Sequence, residues 1–276
     1  MALIVLAADK GSPGVTTAAV ALGAVWPTRV LVAECDPAGA DLPYRLPAGD
    51  GSLLNPNRGL LSLAAAARRG LSVSQVWQHT QIVAGGLEVL VGLITAEQRG
   101  GIPELWPALG ESLSSLTDAD VLADCGRLGP DSPAIALLRH ACLVLLVVRA
   151  DMAGIAHTRD RVAALSAQLN ASGADGPPLG VVLVSEPATR RRAQRQLTRL
   201  LRTAQPRAEV RGWLAFDLAG ARMLAGQGRG RLDRSWLIRS ARELAATLAV
   251  QISGATPYRQ ILSEKPLSMV TAGGEE

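Results

Sequence analysis

The chain has 276 residues, of which 48% are hydrophobic but only 3% aromatic, so a sizeable core must be built mainly from alanine, leucine and valine. A net charge of +4 does not by itself imply a polyanionic partner, and no apolar run reaches the ~18 residues that a membrane span requires. We interpret Cys35, Cys125 and Cys142 as reduced, buried thiols, because they lie in or beside predicted strands and lack the close spacing of an iron–sulphur site. These features favour a cytoplasmic α/β protein.

The first forty residues contain the most informative pattern. An apolar strand predicted from Ala2 to Ala7 leads into the loop Lys10 to Thr17, and an alanine-rich helix is predicted from Thr17 to Trp26. A turn of small residues at a helix N-terminus lets backbone amides converge on an anion, and the helix dipole favours negative charge there. The pattern therefore predicts a phosphate-binding loop. Its candidate cofactor-binding residues are Gly11, Ser12, Gly14, Val15, Thr16 and Thr17.

An acidic turn follows the second predicted strand. Arg29 to Cys35 is a nearly continuous apolar run, as expected for a strand covered on both faces, and it leads into Glu34-Cys35-Asp36-Pro37. Asp36 is a candidate site carboxylate, with an ordinary acidic turn as the alternative. Residues 43–58 are rich in proline, glycine and asparagine, and we expect a loop there, the segment most suited to move.

A third strand, within residues 118–126, ends in an aspartate. Helices are predicted over 59–69, 72–78 and 103–116, with extended segments at 81–84 and 87–92. Gly85-Gly86 predicts a hairpin turn between those extended segments. Asp124 is suited to magnesium, because a hard cation prefers oxygen ligands and a strand end brings the carboxylate beside the loop.

Strands and helices continue to alternate in the second half. Strands are predicted over 141–148, 179–185 and 209–216, and helices over 154–169, 189–204, 217–226 and 234–250. This order predicts an α/β fold: a doubly wound, mostly parallel sheet flanked by helices on both faces, with the ligand at the carboxyl ends of the strands. We expect a single domain over residues 1–250 and a tail over 251–276.

The helix predicted over 189–204 is strongly basic. Its apolar residues keep helical spacing, and Arg191, Arg195, Arg199 and Arg202 form a stripe on another side. Such a stripe can neutralise nucleic-acid phosphates without reading the base sequence. The alternative is a solvated helix face in a chain that uses arginine as its default cation.

The loop and the acidic segments together resemble a known family. Lys10-Gly11-Ser12-Pro13-Gly14-Val15-Thr16-Thr17 resembles the deviant phosphate loop Lys-Gly-Gly-x-Gly-Lys-Thr-Thr of the ParA/MinD family of nucleotide-switched dimers, over a chain similarity of roughly residues 1–250. The resemblance implies a P-loop NTPase-like fold, ATP or ADP with Mg²⁺, and a homodimer in which Lys10 reaches the partner's nucleotide. It further implies that Thr16, Asp36 and Asp124 serve magnesium, with Lys10 and Asp36 as the catalytic residues.

Val15 is the most consequential departure from that pattern. It occupies the position of the second lysine, and losing one stabiliser of transition-state charge costs about 10²- to 10³-fold in rate. Pro13 also removes a backbone N–H from the turn. We therefore expect weak or absent ATP hydrolysis. Ser185 stands where the family has a base-contacting asparagine, which leaves base recognition open.

Two functions of different classes follow. One is a ParA/MinD-like switch that positions DNA or a cellular assembly; the other is a pseudo-ATPase scaffold, resembling TadZ/CpaE proteins, that localises pilus or secretion machinery through protein contacts. We expect an unidentified protein partner and, through the arginine stripe, non-specific DNA. A dinucleotide-dependent oxidoreductase is disfavoured because no Gly-x-Gly-x-x-Gly follows the first strand. We expect no membrane anchoring, because residues 256–276 contain prolines, glycines and an acidic end.

Overall fold

The computed structural model describes residues 1–11, 13–67, 71–101, 104–170, 176–204 and 208–253. Within these ranges, eight strands form one sheet. They are β1 (Leu3–Ala8), β2 (Val30–Glu34), β3 (Gln81–Ile82), β4 (Glu88–Leu90), β5 (Asp120–Arg127), β6 (Leu143–Arg149), β7 (Leu179–Ser185) and β8 (Glu209–Ala215). The tail expected at the C-terminus lies outside the described residues, apart from the end of the last helix.

The strand order confirms the predicted fold class. Across the sheet the order is β3-β4-β2-β5-β1-β6-β7-β8, and every pairing is parallel except the antiparallel pair β3–β4. That pair is the hairpin predicted around Gly85-Gly86, where the amide of Gly86 donates to the carbonyl of Val83. The central position of β1 brings its carboxyl end next to those of β5 and β6, where ligands bind in sheets of this kind.

Ten α-helices cover the two faces of the sheet in the described part of the chain. They are α1 (Val15–Gly23), α2 (Leu42–Arg45), α3 (Leu60–Ala66), α4 (Val73–Gln78), α5 (Leu105–Ser114), α6 (Ala134–Leu138), α7 (Met152–Asn170), α8 (Arg190–Ala204), α9 (Leu218–Leu224) and α10 (Trp236–Ser253). Helices α1, α2, α9 and α10 pack on one face, and α3 to α8 on the other. None of the described helices is long and apolar enough to cross a bilayer.

Alternating side chains of each strand feed two separate cores. In β1, Leu3, Val5 and Ala7 join one hydrophobic cluster, whereas Ile4, Leu6 and Ala8 join the other. All six residues of the strand are buried, which is why the sequence shows a continuous apolar run instead of alternation. Every strand that runs through the middle of the sheet is therefore held between two helical layers.

Several sequence expectations need correction. Helix α1 begins at Val15, two residues before the predicted start, because the turn ends at Gly14. Residues 43–58 are not an irregular loop throughout, since α2 occupies their start and two isolated bridges, Pro47–Leu53 and Ala48–Val83, tie the segment to the edge of the sheet. Helix α6 was not predicted.

The cysteine prediction is right for two of three residues. Cys35 and Cys125 are buried free thiols, whereas Cys142 is an exposed one. Cys142 lies immediately before β6, and its amide donates to the carbonyl of Leu3 at the edge of the ladder while its side chain is exposed. A position beside a predicted strand therefore did not ensure burial.

Candidate functional site

The predicted phosphate loop connects the carboxyl end of β1 to the N-terminus of α1. Gly14 is the residue before the helix and has a φ of 93°, a left-handed conformation that favours glycine. No side chain caps α1, and its first turn contains no acidic residue. The first amides of a helix have no partner within the helix, so this N-terminus is suited to receive an anion. Ser12, another predicted loop residue, lies outside the described residues.

The start of the loop is fixed by a buried cation that the sequence analysis missed. Lys10 and Gly11 are exposed, but the preceding Asp9 pairs with Arg161 of α7 at 3.5 Å between Oδ1 and Nε. The Arg161 side chain is only 9% exposed, and its Nε and Nη2 atoms have no hydrogen-bond partner among the described residues. Arg161 thus joins α7 to the segment that presents Lys10. No local motif marks this arginine, because the contact is made only in the folded chain.

Val15 does not face the anion site as a lysine would. Its side chain is 6% exposed and belongs to the hydrophobic cluster beneath α1, together with Leu6 and Ala18. The residue at the lysine position therefore packs in the core, and the loop has no cation of its own on the helical side.

Asp124 lies beneath the loop in the second half of β5, which continues to Arg127 and so ends three residues later than the sequence predicted. Burial raises its pKa to about 6, while the nearby Thr16 side chain and the amide of Gly126 have the opposite effect. The amide of Gly126 donates to Oδ1, but Oδ2 is buried and has no hydrogen-bond partner among the described residues. An orphaned carboxylate oxygen beside a threonine hydroxyl is a suitable place for a cation.

Asp36 lies against the same strand end. Its Oδ2 is 1.8 Å from the place where a Cβ would lie at residue 126, so only glycine leaves room for this carboxylate. Gly126 also has a left-handed φ of 56°. Burial raises the pKa of Asp36, and the amide of Ala38, which donates to its Oδ1 at 2.8 Å, lowers it.

Glu34 has a structural role that the sequence did not predict. Strands β2 and β5 pair Glu34 with Asp124, and Glu34 is 1% exposed. Its carboxylate accepts hydrogen bonds from the amides of Asp41, Leu42 and Gly92, at 2.6, 3.0 and 3.1 Å. Burial raises its pKa to about 7, against the lowering effect of those amides. Glu34 therefore ties the segment that leads into α2 to the end of β4.

A cavity of about 340 Å³ opens beside the loop, between α2 and α9. Thr16 and Thr17 form its loop side. Its other walls are mostly apolar, with two arginines among them: Val20, Leu42, Arg45, Leu46, Leu218, Ala221, Arg222, Leu224, Ala225 and Gln227. The motifs predicted Thr16 and Thr17, but neither arginine, because both lie outside any recognisable pattern.

The described residues fit magnesium held together with a nucleotide better than a closed metal site. No group of three histidine, cysteine, aspartate or glutamate side chains could hold a metal ion in the described part of the chain. Thr16 and Asp124, which are near each other, would hold a magnesium ion that phosphate oxygens also coordinate. Asp36 lies against Gly126 at the neighbouring strand end. A bound divalent cation would stabilise the ionised form of Asp124, which burial disfavours.

At the carboxyl end of β7, Ser185 occupies the position where the family resemblance implies an asparagine that contacts the nucleotide base. Ser185 ends β7 and is buried, and its Oγ has no hydrogen-bond partner among the described residues. The strands on either side of β7 supply a stacked pair: Arg149, at the end of β6, lies over the ring of Phe216, which follows β8. The guanidinium carbon is 3.7 Å from the ring centre. This cation–π pair closes over the end of β7.

The arginine stripe lies elsewhere, on α8. Arg191, Arg195, Arg199 and Arg202 are all exposed, and no described carboxylate pairs with them. They border an open groove of about 730 Å³ together with Gln194 and Thr198. Buried Ala193, Leu197 and Leu201 fix the opposite face of the helix to the core. The predicted amphipathic arrangement is confirmed, but the stripe is not part of the loop site.

Comparison with known proteins places this geometry in context. No protein-family model matches the sequence, and curated proteins gave no match. Among solved structures, a ParA family ATPase from Chlorobium tepidum is 17% identical, with a TM-score of 0.67 over 88% of this chain and 97% of that chain. The septum site-determining protein MinD from Pyrococcus horikoshii, complexed with Mg-ADP, is 17% identical, with a TM-score of 0.63 over 92% and 97%. A substituted McdA from Cyanothece in complex with ATP is 16% identical, with a TM-score of 0.65 over 94% and 99%.

These matches span nearly the whole of both chains. At such low identity they establish the fold and not the activity. The chain therefore has a ParA/MinD-like fold of the P-loop NTPase type, which confirms the resemblance carried by its loop and strand ends.

Proposed function

We propose that this chain is a cytoplasmic, nucleotide-binding and dimerising switch of the ParA/MinD type, with weak or absent ATP hydrolysis, that positions DNA or a cellular assembly. The observation that carries the proposal is the orphaned, buried Oδ2 of Asp124 beside Thr16, at the uncapped N-terminus of α1. The Gly126 amide occupies Oδ1, but Oδ2 has no hydrogen-bond partner among the described residues, and magnesium with nucleotide phosphates would supply one.

Weak hydrolysis follows from Val15. With a buried valine at the lysine position, the loop offers backbone amides and the Thr16 hydroxyl to the phosphates, but no ammonium group. Lys10, which is exposed, is the loop's cation, and in a dimer it would serve the partner's nucleotide. The site thus supports binding better than turnover.

Exposed apolar side chains at the same edge support association with a second copy or a protein partner. Tyr44, Met152 and Leu218 are 69%, 82% and 63% exposed and lie on helices that follow the carboxyl ends of β2, β6 and β8. Large exposed apolar residues near one edge are typical of interaction surfaces. The pseudo-ATPase scaffold remains the alternative. The burial of Val15 favours it, because a residue that packs in the core does not contribute to phosphate binding.

The test is a calorimetric titration of the full chain with ATP and ADP in the presence of magnesium, with the mass in solution recorded. We expect micromolar binding coupled to dimer formation. Asp124→Asn should abolish nucleotide binding, and Lys10→Ala should remove the coupling to dimerisation. Asp131→Asn, an exposed aspartate beyond β5, is the matched control and should bind normally. No binding and a constant mass would refute the switch and leave the scaffold.

Non-specific DNA is the second partner that we propose, on the basis of the unpaired arginine stripe of α8. The affinity for a mixed-sequence duplex should fall steeply with salt, by about 0.9 logarithmic units per phosphate contact for each tenfold change. Replacing Arg191, Arg195, Arg199 and Arg202 by glutamine should reduce that slope by roughly 2 to 4. An unchanged slope would assign the stripe to a solvated helix face.

A further inference from the structure

The cavity beside the phosphate loop is bordered by positive charge of the kind that the loop lacks at position 15, where valine replaces lysine. Arg45 of α2 and Arg222 of α9 border the same space as Thr16 and Thr17. We propose that Arg45 and Arg222 replace the missing loop lysine, by binding the phosphates of a nucleoside di- or triphosphate from the two walls of this cavity. This inference rests on the proposed nucleotide binding and names the residues that make it possible despite Val15.

Arg45 lies near the site on a helix whose first residues are anchored to the sheet. The hydrogen bonds from the amides of Asp41 and Leu42 to Glu34 fix the start of α2 against the sheet. One turn later, Arg45 pairs with Asp41, and the two side chains are 45% and 54% exposed. Exposed ion pairs contribute little stability, so exchanging this carboxylate for a phosphate is inexpensive. The positive charge of Arg45 is also near enough to lower the pKa of Asp124, although burial is the larger effect on that group.

Arg222 approaches from the opposite wall. It is exposed on α9, and no described carboxylate pairs with it. Asp217 caps this helix by accepting a hydrogen bond from the amide of Gly220 at 2.8 Å, and it accepts another from the amide of Leu237 in α10. The helix is thereby fixed to its neighbour, and Arg222 is available for a ligand.

The chemistry of the two side chains suits this task. A guanidinium group is always charged and can donate two parallel hydrogen bonds to a phosphate. The acidic groups near the site are Glu34, Asp36, Asp41 and Asp124, of which Glu34, Asp36 and Asp124 already accept backbone hydrogen bonds. The nearby Arg127 acts on Asp36 and does not border the cavity. Two arginines facing one apolar cavity therefore define an anion site with room for the rest of a nucleotide.

The test measures ATP affinity of the full chain with magnesium for Arg45→Gln, Arg222→Gln and the double variant. Each loss of a charged hydrogen-bonding group should weaken binding roughly tenfold, and the double variant roughly a hundredfold. Arg139→Gln makes the same charge change at an exposed site near the amino end of β6 and should leave affinity unchanged. Arg45→Lys should retain most of the affinity, because a lysine can serve as a point charge for phosphate.

The outcomes separate this inference from the function on which it rests. If the unaltered chain binds ATP and the glutamine variants bind as tightly as Arg139→Gln, the inference is wrong and the proposed function stands. If Arg45→Lys is as weak as Arg45→Gln, charge is not what Arg45 contributes, and the inference is again wrong. If the unaltered chain does not bind ATP, both are refuted.

Discussion

The buried carboxylate of Glu34 makes the stability of this protein depend on pH in a direction that can be calculated. Its pKa is raised from 4.5 to about 7 in the folded chain, chiefly by burial. Between these values the folded state binds more protons than the unfolded state, so stability decreases as pH rises. A shift of this size corresponds to about 3 kcal/mol, which is present below pH 4.5 and lost above pH 7.

The informative perturbation is Glu34→Gln. The glutamine side chain keeps an oxygen that accepts hydrogen bonds from the amides of Asp41 and Leu42, but it places its own NH₂ group against the N–H of Gly92. This clash of two donors should cost roughly 1–3 kcal/mol at any pH. At pH 5 the variant should therefore be less stable than the unaltered chain. By pH 8 that difference should shrink by about 3 kcal/mol or reverse, because the variant has no charge to bury.

Urea unfolding without nucleotide, at half-unit steps from pH 5 to pH 8, measures this directly. Asp36 and Asp124 are present in both proteins, so the difference between the two curves reports on Glu34 together with its interaction with Asp124. Glu111→Gln, at an exposed position on α5, is the matched control and should leave the pH dependence unchanged. Parallel curves for Glu34→Gln and the unaltered chain would refute the assignment of a buried, titrating carboxyl at the end of β2.

Three further predictions concern the loop and its supports. Gly126→Ala should cost roughly 1–3 kcal/mol of stability and weaken magnesium-dependent ATP binding, because Gly126 has a left-handed φ and a Cβ there would displace the Asp36 carboxylate. Gly129→Ala, which has open space around it, should be neutral in both assays. Arg161→Gln should lower the unfolding free energy by roughly 1–3 kcal/mol, because packing and the ion pair with Asp9 are lost. Arg159→Gln, on the exposed side of α7, should change it by no more than about 0.5 kcal/mol. Equal effects of the two substitutions would contradict the buried position of Arg161. Val15→Lys should strengthen ATP binding roughly tenfold, and it should also destabilise the fold by about 1.5–3 kcal/mol because a buried valine is lost. Calorimetry measures the affinity and urea unfolding measures the stability. Unchanged affinity would mean that position 15 is not what weakens the site.

The sequence was sufficient for the layered architecture. Apolar runs without alternation, such as 143–148, are typical of strands covered on both faces, and the segments between most of them are long enough to contain a helix. The hairpin at Gly85-Gly86, the turn between β1 and α1 and the position of Asp124 within a buried strand all follow from local patterns in the sequence. Segment 43–58 was harder, because one of its two bridges joins Ala48 to Val83, which is distant along the chain.

The functional details depend on which strands are neighbours, and local sequence does not contain that information. The order β2-β5-β1 brings Glu34 beside Asp124 and lays Asp36 against Gly126. The sequence predicted no role for Glu34, whose burial and three backbone donors make it a structural tie.

By itself, the sequence determined the fold class and the place of the glycine turn that we propose as an anion site, because hydrophobic patterning and turn chemistry act over a few residues. Only the tertiary structure decided that Val15 packs in a core, that Arg161 supports the loop through Asp9, and that Arg45 and Arg222 share a cavity. These arginines come from helices far apart in the chain and carry no motif. Their roles arise from packing, since burial and proximity set the strength of a charge and its partners.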